Sequence, residues 1–286
     1  MAKRSLLQGL KDKKMCFEEE KRKTEKRKTG RYKMGNTEFF KDKTIYVIGM
    51  GPGSEDAMTL EAKKILKESD VIVGYTVYLD LLSDDLKDKE LISTPMKKEE
   101  ERCIIAFEEA KKGKNVSFIS SGDAGIYGMA SLMIEIGEDY PDINVKIIPG
   151  VTAASSGAAV LGAPINHDFC VISLSDLLTP FEKIEKRLRA AAMGDFAIVI
   201  YNPSSHKRKD YLKKACEILL EILPPEMACG YVKNIGREGC SAHYCSLSQL
   251  KDEEVDMFTT VFIGNSESRM INQKLVTPRG YKREND

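Results

Sequence analysis

The chain has no tryptophan, only three histidines and 7 % aromatic residues in all, and no apolar run approaches the ~18 residues that a membrane-spanning helix needs. These absences narrow the function classes. The histidines, at 167, 206 and 243, form no His-x-x-x-His pair, and there is no Gly-x-Ser-x-Gly elbow, so zinc-protease and serine-hydrolase chemistries have no foothold. The seven cysteines are scattered at 16, 103, 170, 216, 229, 240 and 245 without a Cys-x-x-Cys pair, which suits free thiols in a reducing compartment. In "CSAHYC", the residues Cys240, His243 and Cys245 match no standard zinc spacing, and the run reads as a strand with buried thiols; no metal is expected. The opening "MAKRSLLQGLKDKK" is basic but lacks an apolar h-region, so no secretory segment is expected and the chain reads as soluble and cytoplasmic.

Net charge is also absent, but its distribution is uneven. Residues 1 to 33 carry 13 Lys or Arg against 5 Asp or Glu, leaving 31 against 39 in the remainder. That basic arm has hardly any apolar residues at helical or strand spacing and cannot bury enough surface to order itself. It is expected to be a disordered extension over residues 1–40, with Met34 a natural beginning; the competing reading is a tether for nucleic acid, in a binding module that uses the arm. Its "GRYKMGNT" falls short of a P-loop because Asn36 stands where Lys is required and no strand precedes it.

What is present is alternation. From Thr44 short apolar runs alternate with helical stretches, predicting strands near 44–49, 70–74, 116–120 and 144–148 and helices near 57–68, 98–112 and 125–137. A second set begins near 169 and ends in consecutive strands, which predicts a mixed sheet, with a short polar tail after Gly264. With 286 residues and 42 % apolar composition, two modest α/β domains are expected, at 41–150 and 151–280. The first strand ends in "GMGPGSED". This is no dinucleotide fingerprint, because the spacing is Gly-x-Gly-Pro-Gly, Pro52 offers no N–H, and no ribose-binding acid ends the next strand.

Three strand ends carry small or acidic loops: "GMGPG" at 49–53, "SSGDAGIYG" at 120–128 and "PGVTAA" at 149–154. In a parallel sheet all three gather at the carboxyl edge, where open α/β sheets bind ligands. Beyond the third lies "TAASSGAAVLGA", a helix with almost no side-chain bulk, suited either to a flat ligand or to close packing. With this ordered trio the sequence resembles the tetrapyrrole methylase family from Thr44 to about Tyr281. The strings "SGDAGIYGMA", "PGVTAASSGAAVLGAPINHDFCVISLSDLLTP", "YNPSS", "VKNIGREG" and "TPRGY" are similar to the branch that methylates C-17 of precorrin-3B or cobalt-factor III in cobalamin biosynthesis.

The resemblance implies two α/β domains with a cofactor trough between them, S-adenosyl-L-methionine as methyl donor, a tetrapyrrole acceptor, no nucleic-acid or membrane partner, and a homodimer. By matching positions it implies a cofactor site lined by Pro52, Ser121, Gly122, Asp123, Ile126, Thr152 and Ala153, with Asn202 and Thr260 from the second domain. Asp123 could bind hydroxyls or an ammonium, or cap a helix. Ring contraction calls for proton transfers, for which His167, Asp168 and Asp176 are the candidates; His167 could equally hold a turn. Lys207, Arg208, Arg237 and Arg269 could steer a polycarboxylate. The chain departs from the branch in having Phe181 where Trp is usual and Cys240 where an acid follows "GREG". Other tetrapyrrole or diphthine methylases share the trio.

Overall fold

The computed structural model describes residues 43–205 and 208–281. The expectations for the basic arm, His206 and Lys207 fall outside these residues.

β1 (Thr44–Gly49) reads "TIYVIG", and every one of its residues is buried. A run with no polar face belongs in the middle of a parallel sheet covered on both sides. β2 (Val71–Tyr75), β3 (Glu90–Thr94), β4 (Val116–Ser120) and β5 (Asn144–Ile148) join it in the order β3-β2-β4-β1-β5, all parallel. Ile45, Val47, Val73 and Phe118 pack with α2 (Glu99–Lys111) and α3 (Ala130–Ile136). Tyr46, Ile48, Ile72 and Ile119 face α1 (Leu60–Glu68), through Ala62, Ile65 and Leu66. α1 starts where Thr59 Oγ1 accepts from the Ala62 N–H (3.1 Å), a side-chain cap that sets its entry.

α4 (Ala153–Leu161) and the two-residue β6 (Gly162–Ala163) lead to a second sheet. Its strands are β7 (Phe169–Ser173), β8 (Ala197–Tyr201), β9 (Ala228–Lys233), β10 (Ser241–Ser246) and β11 (Thr259–Ile263), in the order β10-β9-β11-β8-β7. Only β7 and β8 are parallel, so the sheet is mixed. One face packs on α5 (Phe181–Met193) and α6 (Tyr211–Leu220). The other, through Val199, Val232 and Phe262, takes α4. Here the small residues decide the geometry: a Cβ at Gly157 would stand 2.8 Å from Phe262 Cζ and 2.9 Å from Ile235 Cδ1, so the helix lies closer to the sheet than any side chain allows.

Three expectations need correction. β3 was not foreseen, because it is an edge strand with one paired neighbour and exposed positions. The segment after Gly264 is no plain tail: β12 (Arg269–Ile271) and β13 (Lys274–Val276) form a hairpin, and β13 pairs parallel with β6. Its turn residues Asn272 and Gln273 both have positive φ (47° and 60°), the twist that two-residue hairpin turns favour. Finally, α3 starts at Ala130 rather than 125, because Tyr127 is left-handed (φ 53°) and breaks the helical path.

Candidate functional site

β4, β1 and β5 are adjacent and parallel, so the loops at 50–53, 121–128 and 149–152 leave the sheet side by side. They are also fastened to one another. The Met50 N–H donates to the Ser120 carbonyl (2.9 Å), and Gly51 and Gly122 exchange backbone hydrogen bonds at 3.0 and 2.8 Å, a local antiparallel bridge. A Cβ at Gly150 would meet the Gly122 carbonyl oxygen at 2.1 Å, and one at Gly49 would meet it at 2.7 Å. The glycines of the opening motif thus serve loop-on-loop approach rather than phosphate binding.

Asp123 completes the fastening. Its Oδ1 accepts from the Gly125 N–H (2.8 Å) and its Oδ2 from the Gly150 N–H (2.9 Å), joining the second loop to the third. It caps no helix, since α3 begins seven residues later behind Met129. Pro52 and Gly53 are buried beneath the β9–β10 connection, where a Cβ at Gly53 would lie 2.6 Å from Arg237 Cγ. Arg237 Nη2 reaches Ser121 Oγ at 3.4 Å.

The second sheet closes the other side. Tyr201, at the end of β8, shares a hydrogen bond with Thr152 Oγ1 (2.5 Å) and accepts from the Ala154 N–H (2.7 Å), satisfying a free donor at the start of α4. Burial raises the pKa of its hydroxyl, which stays protonated. Tyr127 reaches from the second loop to β7: its hydroxyl donates to the Val171 carbonyl (3.1 Å) and accepts from the Ser173 N–H (3.3 Å), while its ring lies 5.8 Å from that of Tyr201. Asn202, left-handed at φ 53°, donates from Nδ2 to Ser173 Oγ (2.9 Å). Tyr127, Tyr201 and Ser173 were missed from sequence. In the sequence Tyr201 and Ser173 are ordinary strand-end residues and Tyr127 falls within the predicted helix near 125–137, although all three lie inside the quoted motifs.

The residues expected at the cofactor site therefore converge for the most part. Ser121, Gly122, Asp123, Thr152, Ala153 and Asn202 belong to one hydrogen-bonded neighbourhood, and Ile126 stands exposed beside them. Thr260 is buried on β11, where strand alternation puts it on the Phe262 face, the one that receives α4.

The titratable candidates are split between the two ends of β7. His167 and Asp168 precede β7 at its amino end, and the four steps from Phe169 to Ser173 span about 13 Å. Both are exposed, and His167 Nδ1 accepts from the Asp168 N–H (2.9 Å) in a local turn. Asp176 lies on the loop side, but its carboxylate is taken up: Arg208 Nε stands 3.2 Å from Oδ1, and the Tyr211 hydroxyl donates to Oδ2 at 2.6 Å. That bond raises the Tyr211 pKa. Arg208 also donates to Ser175 Oγ (3.0 Å). Arg269 is on β12, away from the loops.

Gly122 is left-handed at φ 65°, and a Cβ there would touch Ala153 N and Thr152 Cα at 3.8 Å, so the second and third loops meet in ordinary contact at this point. Backbone N–H groups, the Ser121 and Thr152 hydroxyls and the small wall of α4 form a donor set that fits S-adenosylmethionine. Among the described residues no helix is long and apolar enough to cross a membrane.

A glycine-fastened loop trio at the edge of a parallel sheet, closed by a mixed second sheet, defines an α/β protein with its site at the strand ends. The profile of the Tetrapyrrole (Corrin/Porphyrin) Methylases matches residues 44–251, and the chain belongs to this family. The chain is 45 % identical over 238 residues to the probable cobalt-factor III C(17)-methyltransferase of Salmonella typhimurium, covering 83 % of this chain and 99 % of that one. It is 36 % identical over 248 residues to the precorrin-3B C(17)-methyltransferase of Sinorhizobium sp, covering 83 % and 97 %. It is 46 % identical to the cobalamin biosynthesis protein CbiHC of Archaeoglobus fulgidus, which it matches over 83 % of its own length but only 52 % of that longer protein. Among solved structures, the methyltransferase CobJ superposes with a TM-score of 0.78 at 38 % identity, covering 82 % of this chain and 99 % of that one. The fold is shared with the uroporphyrin-III C-methyltransferase of Thermus thermophilus in complex with S-adenosylhomocysteine, with a TM-score of 0.60 at 20 % identity over 77 % and 92 %.

Proposed function

We propose that the chain is an S-adenosylmethionine-dependent methyltransferase that acts on C-17 of cobalt-factor III or precorrin-3B, with ring contraction, in cobalamin biosynthesis. The observation that carries this reading is the fastened loop trio at the carboxyl edge of the first sheet. It occurs in a chain that matches nearly the full length of a C(17)-methyltransferase at 45 % identity.

When bound, S-adenosylmethionine supplies an electrophilic methyl group on a good leaving group, so acceleration comes chiefly from alignment and preorganised charge. Gly122, Thr152 and Ala153 hold the cofactor through backbone and hydroxyl groups, with Ile126 as an apolar wall, Ser121 and Asn202 as polar flanks, and Pro52 and Thr260 as packing behind them. Asp123 fixes the spacing of the second and third loops. Asp176, held by Arg208 and Tyr211, anchors the segment after β7. His167 and Asp168 lie outside the cluster and are assigned no proton transfer at it. The sheets of 41–150 and 151–280 act as the two walls of a trough, in a cytoplasmic homodimer that binds no nucleic acid. The net acidity of the chain beyond its arm favours this over a phosphate-backbone partner.

Calorimetry with S-adenosylhomocysteine, followed by mass spectrometry of cobalt-factor III incubated with labelled cofactor, tests the reading. One added methyl with the mass and absorption of a ring-contracted product is expected. Tight cofactor binding with no tetrapyrrole methylation would move the chain to another branch, and nicotinamide binding in place of S-adenosylhomocysteine would refute the class.

A further inference from the structure

At the carboxyl edge of the first sheet stand two guanidinium groups that form no ion pair among the described residues. Arg102, in the first turn of α2, is only 4 % exposed. It donates from Nε to Thr94 Oγ1 (2.7 Å) and from Nη2 to the Pro95 carbonyl (3.1 Å), and its guanidinium carbon lies 5.8 Å from the centre of the Tyr75 ring. Tyr75 meets Tyr78 edge-on with ring centres 5.2 Å apart. The Arg237 guanidinium stands 6.0 Å from the Tyr78 ring and 5.2 Å from Phe258. The sequence Arg102, Tyr75, Tyr78, Arg237 thus runs across the ends of β3 and β2 and arrives at Ser121 of the second loop.

Among the described residues, neither guanidinium makes an ion pair, and the Tyr75 and Tyr78 hydroxyls have no hydrogen-bond partner. Burial of Tyr78 raises its pKa despite the nearby arginines, so its hydroxyl remains a donor. An uncompensated cation in a protein interior is costly, and tyrosine faces offset only part of that cost. Two planar donors, one of them with its stem fixed, and two free phenol hydroxyls together make a receptor for a carboxylate.

We propose that Arg102, Tyr75, Tyr78 and Arg237 form a subsite for a carboxylate side chain of the acceptor. The proposal rests on the tetrapyrrole reading above and adds the residues that orient the macrocycle. The acceptor is favoured over the cofactor's own carboxylate because the loops assigned to the cofactor leave β4, β1 and β5. Tyr75 ends β2, Tyr78 follows it and Arg102 is bonded to the end of β3, so three of the four residues stand on the opposite flank of the second loop from α4, and Arg237 alone reaches Ser121.

The test compares the full chain with Arg102→Met, Arg102→Lys and Tyr78→Phe. Cobalt-factor III binding is followed by its visible absorption, and S-adenosylhomocysteine binding by calorimetry. The expected result is a loss of about tenfold or more in cobalt-factor III affinity for Arg102→Met, as for a lost charged hydrogen bond. Partial recovery is expected in Arg102→Lys and a smaller loss in Tyr78→Phe, with S-adenosylhomocysteine affinity unchanged in all three. Tyr78→Phe removes one hydroxyl and keeps the test open if loss of the buried charge prevents folding. Unchanged cobalt-factor III affinity in folded variants overturns the subsite and leaves the function standing. A loss confined to S-adenosylhomocysteine also overturns it, assigning the cluster to the cofactor. A wild-type chain that binds S-adenosylhomocysteine but not cobalt-factor III overturns the tetrapyrrole reading, and the subsite with it.

Discussion

Asp123 ties two backbone N–H groups from different loops, so its removal acts on stability and on binding at once. Asp123→Ala is expected to lower unfolding free energy by roughly 1.5–3 kcal/mol, the usual worth of hydrogen bonds to a charged group, and to weaken S-adenosylhomocysteine binding as well. Urea denaturation and calorimetry on the same preparation check both; full stability with weakened binding would make Asp123 a ligand only. The acid among glycines was visible in the sequence, but its role was not, because Gly150 lies 27 residues away along the chain. Tyr127 and Tyr201 were invisible as site residues for the same reason: each bridges from one sheet's loops to the other's strands. The cysteines follow burial. Burial pushes the thiols of Cys103, Cys216 and Cys245 up to about 12 and that of Cys170 to about 11. At pH 8 these sites carry almost no thiolate, the species that reacts. Alkylation of the native protein followed by peptide mapping is therefore expected to label the exposed Cys240 first among the described cysteines. Rapid labelling of Cys103 would contradict the packing of α2.

α4 packs on the second sheet and starts beside the loops of the first. Tyr201→Phe removes the hydroxyl that serves Thr152 and the Ala154 N–H, and is expected to cost about 1–2 kcal/mol, as loss of a helix cap does. Gly157→Ala sets a helix-propensity gain of about 1 kcal/mol against a Cβ placed 2.8 Å from Phe262. Overpacking of a rigid aromatic costs about 1–3 kcal/mol, so the variant should melt lower than wild type in a thermal scan. The sequence left open whether this small-residue run serves a ligand or close packing. At Gly157 it is packing, and at its first residue, Ala153, it stands in contact with Gly122 of the second loop. The strongly patterned elements could be read directly, since β1 and β8 are apolar almost throughout, β11 ends in the apolar run 261–263, and α5 and α6 have clear helical periodicity. The elements that escaped, β3 and the β12–β13 hairpin, are short and solvent-facing, held by a neighbour rather than by their own pattern.

At the scale of the molecule, the family match begins at residue 44, and the sequence of residues 1–33 has hardly any apolar residues at helical or strand spacing. A chain begun at Met34 is therefore expected to bind S-adenosylhomocysteine and turn over like the full chain; activity lost at equal folding would give the arm a role of its own. Saturation at 100 times the dissociation constant should stabilise either chain by about 2.7 kcal/mol, visible as a concentration-dependent melting temperature. The strand order has a consequence for synthesis. β1 emerges early, yet its sheet partners are β4 and β5, which begin 72 and 100 residues after it. At about 5–20 residues per second the wait is on the order of 5–20 s, with an apolar strand unpaired in the meantime. Nascent chains arrested before β5 should accordingly be protease-sensitive and captured by chaperones, and chains released after it should not. Protection before β5 is made would mean that β1 has a temporary shelter elsewhere in the chain. The three fastened loops, drawn from the ends of those same three strands, are then assembled only after the sheet closes around its first-made member.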